Sequence, residues 1–155
     1  MASGYPEMRI VAEILESEDT ANSEVAEKYR MMQMGGAKIA LDDFGTGYNS
    51  ELTLLTIQPN IIKIDRSIIS GCDKDASRRR IINNLVKLAR SKQIQVIAEG
   101  VETQEELKTV IACGVDLLQG YYLSYPLFEP KPLDTELVDT IRRLASPGGS
   151  PEYNV

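Results

Sequence analysis

The stretch KIALDDFG, Lys38 to Gly45, decides how this chain is read. Four residues, Lys38 to Leu41, are too short a run for a helix and too apolar for a loop, and Gly35-Gly36 stands just before them. They read as a buried strand that empties directly into two carboxylates, Asp42 and Asp43, with Gly45 and Gly47 marking a loop beyond. A strand whose carboxyl end carries adjacent acids, followed by amphipathic sequence, is the signature of a βα unit.

The same unit recurs on both sides. Upstream, Arg9 to Leu15 (RIVAEIL) reads as a strand and Ala21 to Met34 as a helix that the glycine pair stops. Downstream, Ser50 to Ile57 is helical and ends before Pro59, and Ile61 to Ile64 (IIKI) is a strand. Ala76 to Ser91 is a helix with Ile81, Ile82, Leu85, Leu88 and Ala89 on its buried face. Ile94 to Ala98 is a strand, and Thr103 to Cys113 a helix with Thr103 as N-cap and Glu106 at the capping-box position. Val115 to Leu118 is a last strand and Asp134 to Ala145 a last helix. The strands are continuous apolar runs, so both their faces should be covered, and the whole is α/β with parallel strands.

The chain has 155 residues, 17 Lys+Arg against 23 Asp+Glu, and a net charge of −6. That length carries one core and falls well short of the roughly 250 residues of a closed eight-stranded α/β barrel. The acidic balance argues against binding a nucleic acid polymer, and no apolar run reaches the roughly 20 residues of a membrane span. There is no His, which removes Ser-His-Asp triads and His-ligated zinc. Cys72 and Cys113 form no CxxC pattern and read as free thiols of a cytoplasmic protein. The triplet Arg78-Arg79-Arg80 reads as a solvated helix face, and Met31, Met32 and Met34 as fillers of core gaps.

Polar groups recur where the strands end: Glu13, Asp42-Asp43, Lys63, Glu99 and Gln119. Parallel α/β folds build active sites at that end. Four carboxylates converging with one lysine repel each other unless a cation relieves them. Oxygen ligands without His or Cys select Mg²⁺, Mn²⁺ or Ca²⁺, and adjacent carboxylates suit paired metals acting on a phosphodiester. Asp43-Phe44-Gly45 matches the DFG of protein kinases, but only 42 residues precede it and a His-containing catalytic loop is missing.

LDDFGTGYNS at 41–50, IKIDRS at 62–67, IAEGVET at 97–103 and LQGYYL at 118–123, with AEILES at 12–17, closely resemble EAL domains, the cyclic-di-GMP phosphodiesterases of bacterial signalling. The resemblance runs from about Arg9 to Pro126. It implies five βα units of a TIM-type (β/α) barrel, a partial domain over 9–145; residues 1–8 read as a leader or cloning remnant and the Pro/Gly/Ser-rich 146–155 as a flexible tail. It implies a two-metal site for Mg²⁺ or Mn²⁺ in which Glu13 ligates one metal, Asp42 bridges both and Asp43 completes the second. Lys63 would hold the nucleophilic water, and Glu99 would act as general base or water-positioning carboxylate. Glu16 would brace the loop that begins at Asp43, Glu102 would stand behind the ligands, and Gln119 would touch the site from the last strand. Asp65 and Arg66 would structure the loop after their strand, and Tyr121 and Tyr122 stack on a purine or pack at the rim.

The departures are equally specific. The Glu-Ala-Leu motif and the family's metal-binding Asn are absent from these 155 residues, Leu15 stands where Thr is common, and Asn49 and Glu51 replace a frequent Ser and Leu. The expectation is a truncated phosphodiesterase domain inactive alone, which buries an inner face carrying Ile10, Ile39 or Val96 against a second copy or the missing amino-terminal half of the barrel. The alternatives are a degenerate module that binds cyclic-di-GMP or a protein partner, and an unrelated open α/β domain.

Overall fold

A computed structural model of the chain describes residues 10–15, 23–46, 50–129 and 131–146. The expectations for 1–8, for Glu16, for Asn49 and for the tail beyond Ser146 lie outside the described residues. The strands β1 (Val11–Leu15), β2 (Lys38–Phe44), β3 (Ile61–Ile64), β4 (Gln95–Ala98) and β5 (Leu117–Leu118) form one sheet in that order. Every neighbouring pair is parallel. Between and after them run α1 (Ser23–Met34), α2 (Ser50–Ile57), α3 (Arg66–Ile69), α4 (Ala76–Ser91), α5 (Gln104–Cys113) and α6 (Thr135–Ala145). No described helix is long and apolar enough to cross a membrane.

Consecutive order fixes the layering. Right-handed crossovers between strands that are neighbours in both sequence and space put all the helices on one face. Side chains alternate across a strand, so the register sorts the residues of the sheet. Ile14, Leu41, Ile62 and Val96 share one row, and Phe44, Ile64 and Ala98 belong to the same face. All seven are buried, and with Ile69, Ile82, Val86, Leu107 and Val110 from the helices they form the core. Each buried Ile or Leu contributes about 1.5–3 kcal/mol against exposure.

The opposite face carries Glu13, Ala40, Ile61 and Gln95 in one row and Leu15, Asp42, Lys63, Ile97 and Leu117 in the next. This corrects the expected inner face. Ile39 and Val96 lie on the helix side and are fully buried, while Ile10, just before β1, is 51% exposed. Nor are both faces covered among the described residues, for Val11 and Leu15 in β1 and Leu117 in β5 stay exposed. In an all-parallel apolar sheet such surface is buried against more protein.

Several side chains depart from the sequence reading. In α4 the buried stripe is Ile82, Val86 and Ala89, whereas Ile81 is exposed. Met31 and Met34 are also exposed, and of the three methionines only Met32 packs on the core. The arginine triplet is not simply solvated: Arg79 donates to the carbonyls of Cys72 and Asp73, and Arg78 to that of Ser67. Both tie the start of α4 to α3 and the turn after it. Asp75 caps α4 by accepting from the backbone N–H groups of Ser77 and Arg78.

Candidate metal and catalytic centre

Lys63 occupies the middle of the exposed face at the carboxyl ends of the strands. Its stem is walled by β2 and β4, leaving the side chain 7% exposed. Three carboxylates, from within β1, within β2 and just after β4, meet its ammonium: Glu99 Oε1 at 2.9 Å, Asp42 Oδ1 at 3.1 Å and Glu13 Oε2 at 3.2 Å. Glu99 and Asp42 are mostly enclosed, whereas the Glu13 side chain is 56% exposed and forms the open side of the cluster.

Asp42 reaches the lysine because β2 is irregular. Leu41 pairs with Ile62 and Phe44 with Ile64, so Asp42 and Asp43 together face the single residue Lys63. This bulge keeps Leu41 and Phe44 on the helix side, as their burial demands, while both carboxylates stay out of the core. The strain falls on Asp43, which sits in the left-handed region at φ +56, where Asp is tolerated better than most residues. The Asp43 N–H donates to Asp42 Oδ1 at 3.0 Å, and the Thr46 hydroxyl donates to the Asp43 carbonyl at 2.9 Å, which fixes the turn.

The charges follow from this packing. Burial works to depress the Lys63 pKa, but hydrogen bonds to Glu99 and Asp42 outweigh it and the net shift is upward, which favours the ammonium form. Glu99 is raised, by burial first, with Lys63 acting against the shift and Asp42 adding to it. Asp43 is raised by desolvation first, then by the charges of Asp42 and Asp65, and it shares a hydrogen bond with Asp65. Asp65 is lowered, because it accepts from Ser67 at the start of α3.

Gln119 and Glu102 lie beside the cluster. They line an open cleft of about 430 Å³ together with Glu99, Arg66, Tyr121, Tyr125 and Pro126. Arg66 pairs with Glu102 at 2.8 Å, both lining the cleft. Two glycines shape it. A Cβ on Gly100, which has φ +72, would fall 2.4 Å from Arg66 Cγ, and one on Gly120 would fall 2.1 Å from the Val101 carbonyl oxygen. Tyr121 stacks on Tyr125 with ring centroids 4.8 Å apart, and Tyr122 packs against the core.

Sequence reasoning missed one constituent. Glu106 was legible as a capping-box residue, and its Oε2 does accept from the N–H groups of Glu102 and Thr103. Its Oε1 also accepts from the N–H of Gly71, 35 residues earlier, at 2.8 Å. This buried carboxylate thereby joins the segment after β3 to the loop after β4, the two that carry Arg66 and Glu99–Glu102.

Whether the residues fit a metal is decided by the donor set. Three carboxylate oxygens surround one point, and that point already holds a cation, the Lys63 ammonium. Among the described residues no group of three acidic or thiol side chains stands ready around a metal position. The oxygens sit 2.9–3.2 Å from the nitrogen, whereas Mg²⁺ demands about 2.0–2.1 Å. The chemistry fits a hard divalent cation; the spacing fits an ammonium.

The EAL domain model matches residues 1–126. The chain belongs to the EAL domain family. Among its relatives, the probable cyclic di-GMP phosphodiesterase PdeD of Escherichia coli K12 is 34% identical over 128 residues, 81% of this chain and 23% of that protein. Among solved structures, a standalone EAL protein of Vibrio cholerae O395 in its c-di-GMP-bound form is 36% identical, with TM-score 0.70 over 83% of this chain and 55% of that one. BlrP1 of Klebsiella pneumoniae, in a manganese/cyclic-di-GMP complex, is 31% identical, with TM-score 0.72 over 77% of this chain and 31% of that one. The chain thus spans about a quarter or less of the curated relatives it matches. The five-stranded sheet is part of a TIM-type barrel, as the resemblance implied.

Proposed function

We propose that these residues form the carboxyl-terminal part of the active site of a metal-dependent cyclic-di-GMP phosphodiesterase. The observation that carries the reading is the convergence of Glu13, Asp42 and Glu99 from three strands on Lys63, in the family whose neighbours hold this dinucleotide. Glu13, Asp42 and Asp43 would hold Mg²⁺ or Mn²⁺, with Glu99 beside them. Bound divalent cations supply Lewis-acid activation of water and neutralise charge on the phosphate.

The chain's own residues do the rest. Hydrolysis bonds the water oxygen to phosphorus as the ester oxygen leaves; one water proton is lost to a base and the leaving oxygen ends protonated. Glu99, whose burial raises its affinity for a proton, would take the water proton. Lys63, once released from its carboxylate partners, would hold the water and meet negative charge developing on phosphorus-bound oxygens. Gln119, Arg66 and Glu102 line the cleft next to Glu99 and would orient the substrate. The free thiols of Cys72 and Cys113 suit a place in the cytoplasm.

The test is production of linear dinucleotide in Mn²⁺, by the 155-residue chain alone and by the same residues within a complete barrel. The chain alone should turn over negligibly. The complete barrel should reach roughly 1 s⁻¹ or more, and Glu99→Gln should lower that by about 10²-fold or more. Binding of the dinucleotide by the complete barrel without any hydrolysis would replace this reading with that of a non-catalytic binding module.

A further inference from the structure

The ammonium of Lys63 has three N–H donors, and the three carboxylates around it engage all of them. A lysine in that state has no donor left for a water or a phosphate. The side chain is 7% exposed and its carboxylate partners come from β1, from β2 and from just after β4, so its single charge ties these three strands together. We propose that Lys63 is the resident counter-cation of this carboxylate cluster, and that a divalent metal must displace its ammonium from the carboxylates to bind. Displacement is what frees the lysine donors for the reaction. The proposal rests on the metal-site reading under Proposed function.

Three observations point the same way. The oxygens stand at hydrogen-bond distance from nitrogen rather than at metal distance, so they must close inward by about 1 Å before they ligate a small cation. Glu13 and Asp42, two of the residues that would hold the metal, are both engaged by the ammonium, so lysine and metal compete for the same oxygens. The arm on the open side, Glu13, is also the longest contact and the most exposed, so it is the one that swings first. Asp42 and Glu99 are more enclosed, so the open side at Glu13 is where a metal would approach.

Competition predicts that removing the ammonium tightens metal binding, the reverse of the effect expected of a lysine that merely preorganises the ligands. The experiment titrates Mn²⁺ into the chain and reads free ion by electron paramagnetic resonance, with thermal melting alongside. Lys63→Met should bind Mn²⁺ at least about tenfold more tightly than wild type. Without metal it should melt lower, because three carboxylates are left bare, and Mn²⁺ should raise its melting point more than that of wild type. Lys63→Arg keeps the charge in place and should bind no more tightly than wild type. If Lys63→Met is too unstable to titrate without metal, its rescue by Mn²⁺ but not by an equal ionic strength of NaCl supports the displacement, and absence of rescue overturns it. Equal or weaker Mn²⁺ binding by Lys63→Met also overturns it while leaving the metal-site reading intact. Binding by neither protein, in the chain alone and in the same residues within a complete barrel, overturns both.

Discussion

Replacing Glu106 with Ala tests how the loops around the site are held. The side chain is buried and its two oxygens accept three backbone N–H groups, those of Glu102, Thr103 and Gly71, at 2.9, 3.1 and 2.8 Å. The alanine variant loses the reciprocal half of the capping box, and a lost cap costs about 1 kcal/mol. It also strands the Gly71 N–H, and hydrogen bonds to a charged acceptor are each worth about 1.5–3 kcal/mol. The Thr103 hydroxyl still accepts from the N–H of residue 106, so the sum is about 3 kcal/mol, which is roughly 6–12 °C in melting temperature for a chain of this size. Glu106→Gln keeps one oxygen acceptor and should lose about half as much. Burial works to raise the Glu106 pKa, but the N–H groups of Gly71, Glu102 and Thr103 outweigh it and leave it lowered. A depressed folded value means that this stability is present above the ordinary carboxyl range and is lost as pH falls through the folded value. Thermal melts of the three proteins between about pH 3 and pH 7 decide it. Equal melting of alanine variant and wild type at neutral pH, or equal losses for alanine and glutamine, would refute the bridging role of the three acceptor bonds.

Gly100→Ala should cost about 2 kcal/mol or more from its left-handed φ and its collision with Arg66, and should break the Arg66–Glu102 pair, which a crystal structure of the variant would show. Burial pushes the Cys72 thiol up to about 12, so Ellman's reagent at about pH 8 should label Cys72 only after unfolding; prompt labelling of the Cys113→Ser variant would contradict its burial. The exposed Val11, Leu15 and Leu117, with β1 and β5 as edge strands among the described residues, should drive the isolated chain into an oligomer, and a monodisperse 17.2 kDa species in size exclusion with light scattering would show otherwise.

The elements were readable because their punctuation is strong. Gly35-Gly36, Pro59, Thr103 and Gly114 mark boundaries that the structure places within a residue or two. The short α3 was not readable, since RSII is one turn of apolar sequence with no period to detect. The faces were misread for a related reason. Ile39 and Val96 sit in continuous apolar runs that carry no alternation, whereas Lys63 inside IIKI does reveal which neighbours point the other way. Leu41 and Phe44 lie three apart with two acids between them, a spacing that breaks the period of two and signals the bulge. The candidate centre was readable as a list of strand-end residues, but not the ring of oxygens around Lys63. That ring depends on which rows of the sheet align, and so on the register.

The most direct measurement is anomalous scattering at the manganese edge from crystals of this chain soaked in Mn²⁺. If the cluster is a metal site that Lys63 occupies until the ion arrives, a peak will stand about 2.1 Å from oxygens of Asp42 and of at least one of Glu13 and Glu99, with the Lys63 ammonium drawn away from them. An empty cluster at saturating Mn²⁺, with Lys63 still centred among the three carboxylates, would contradict it.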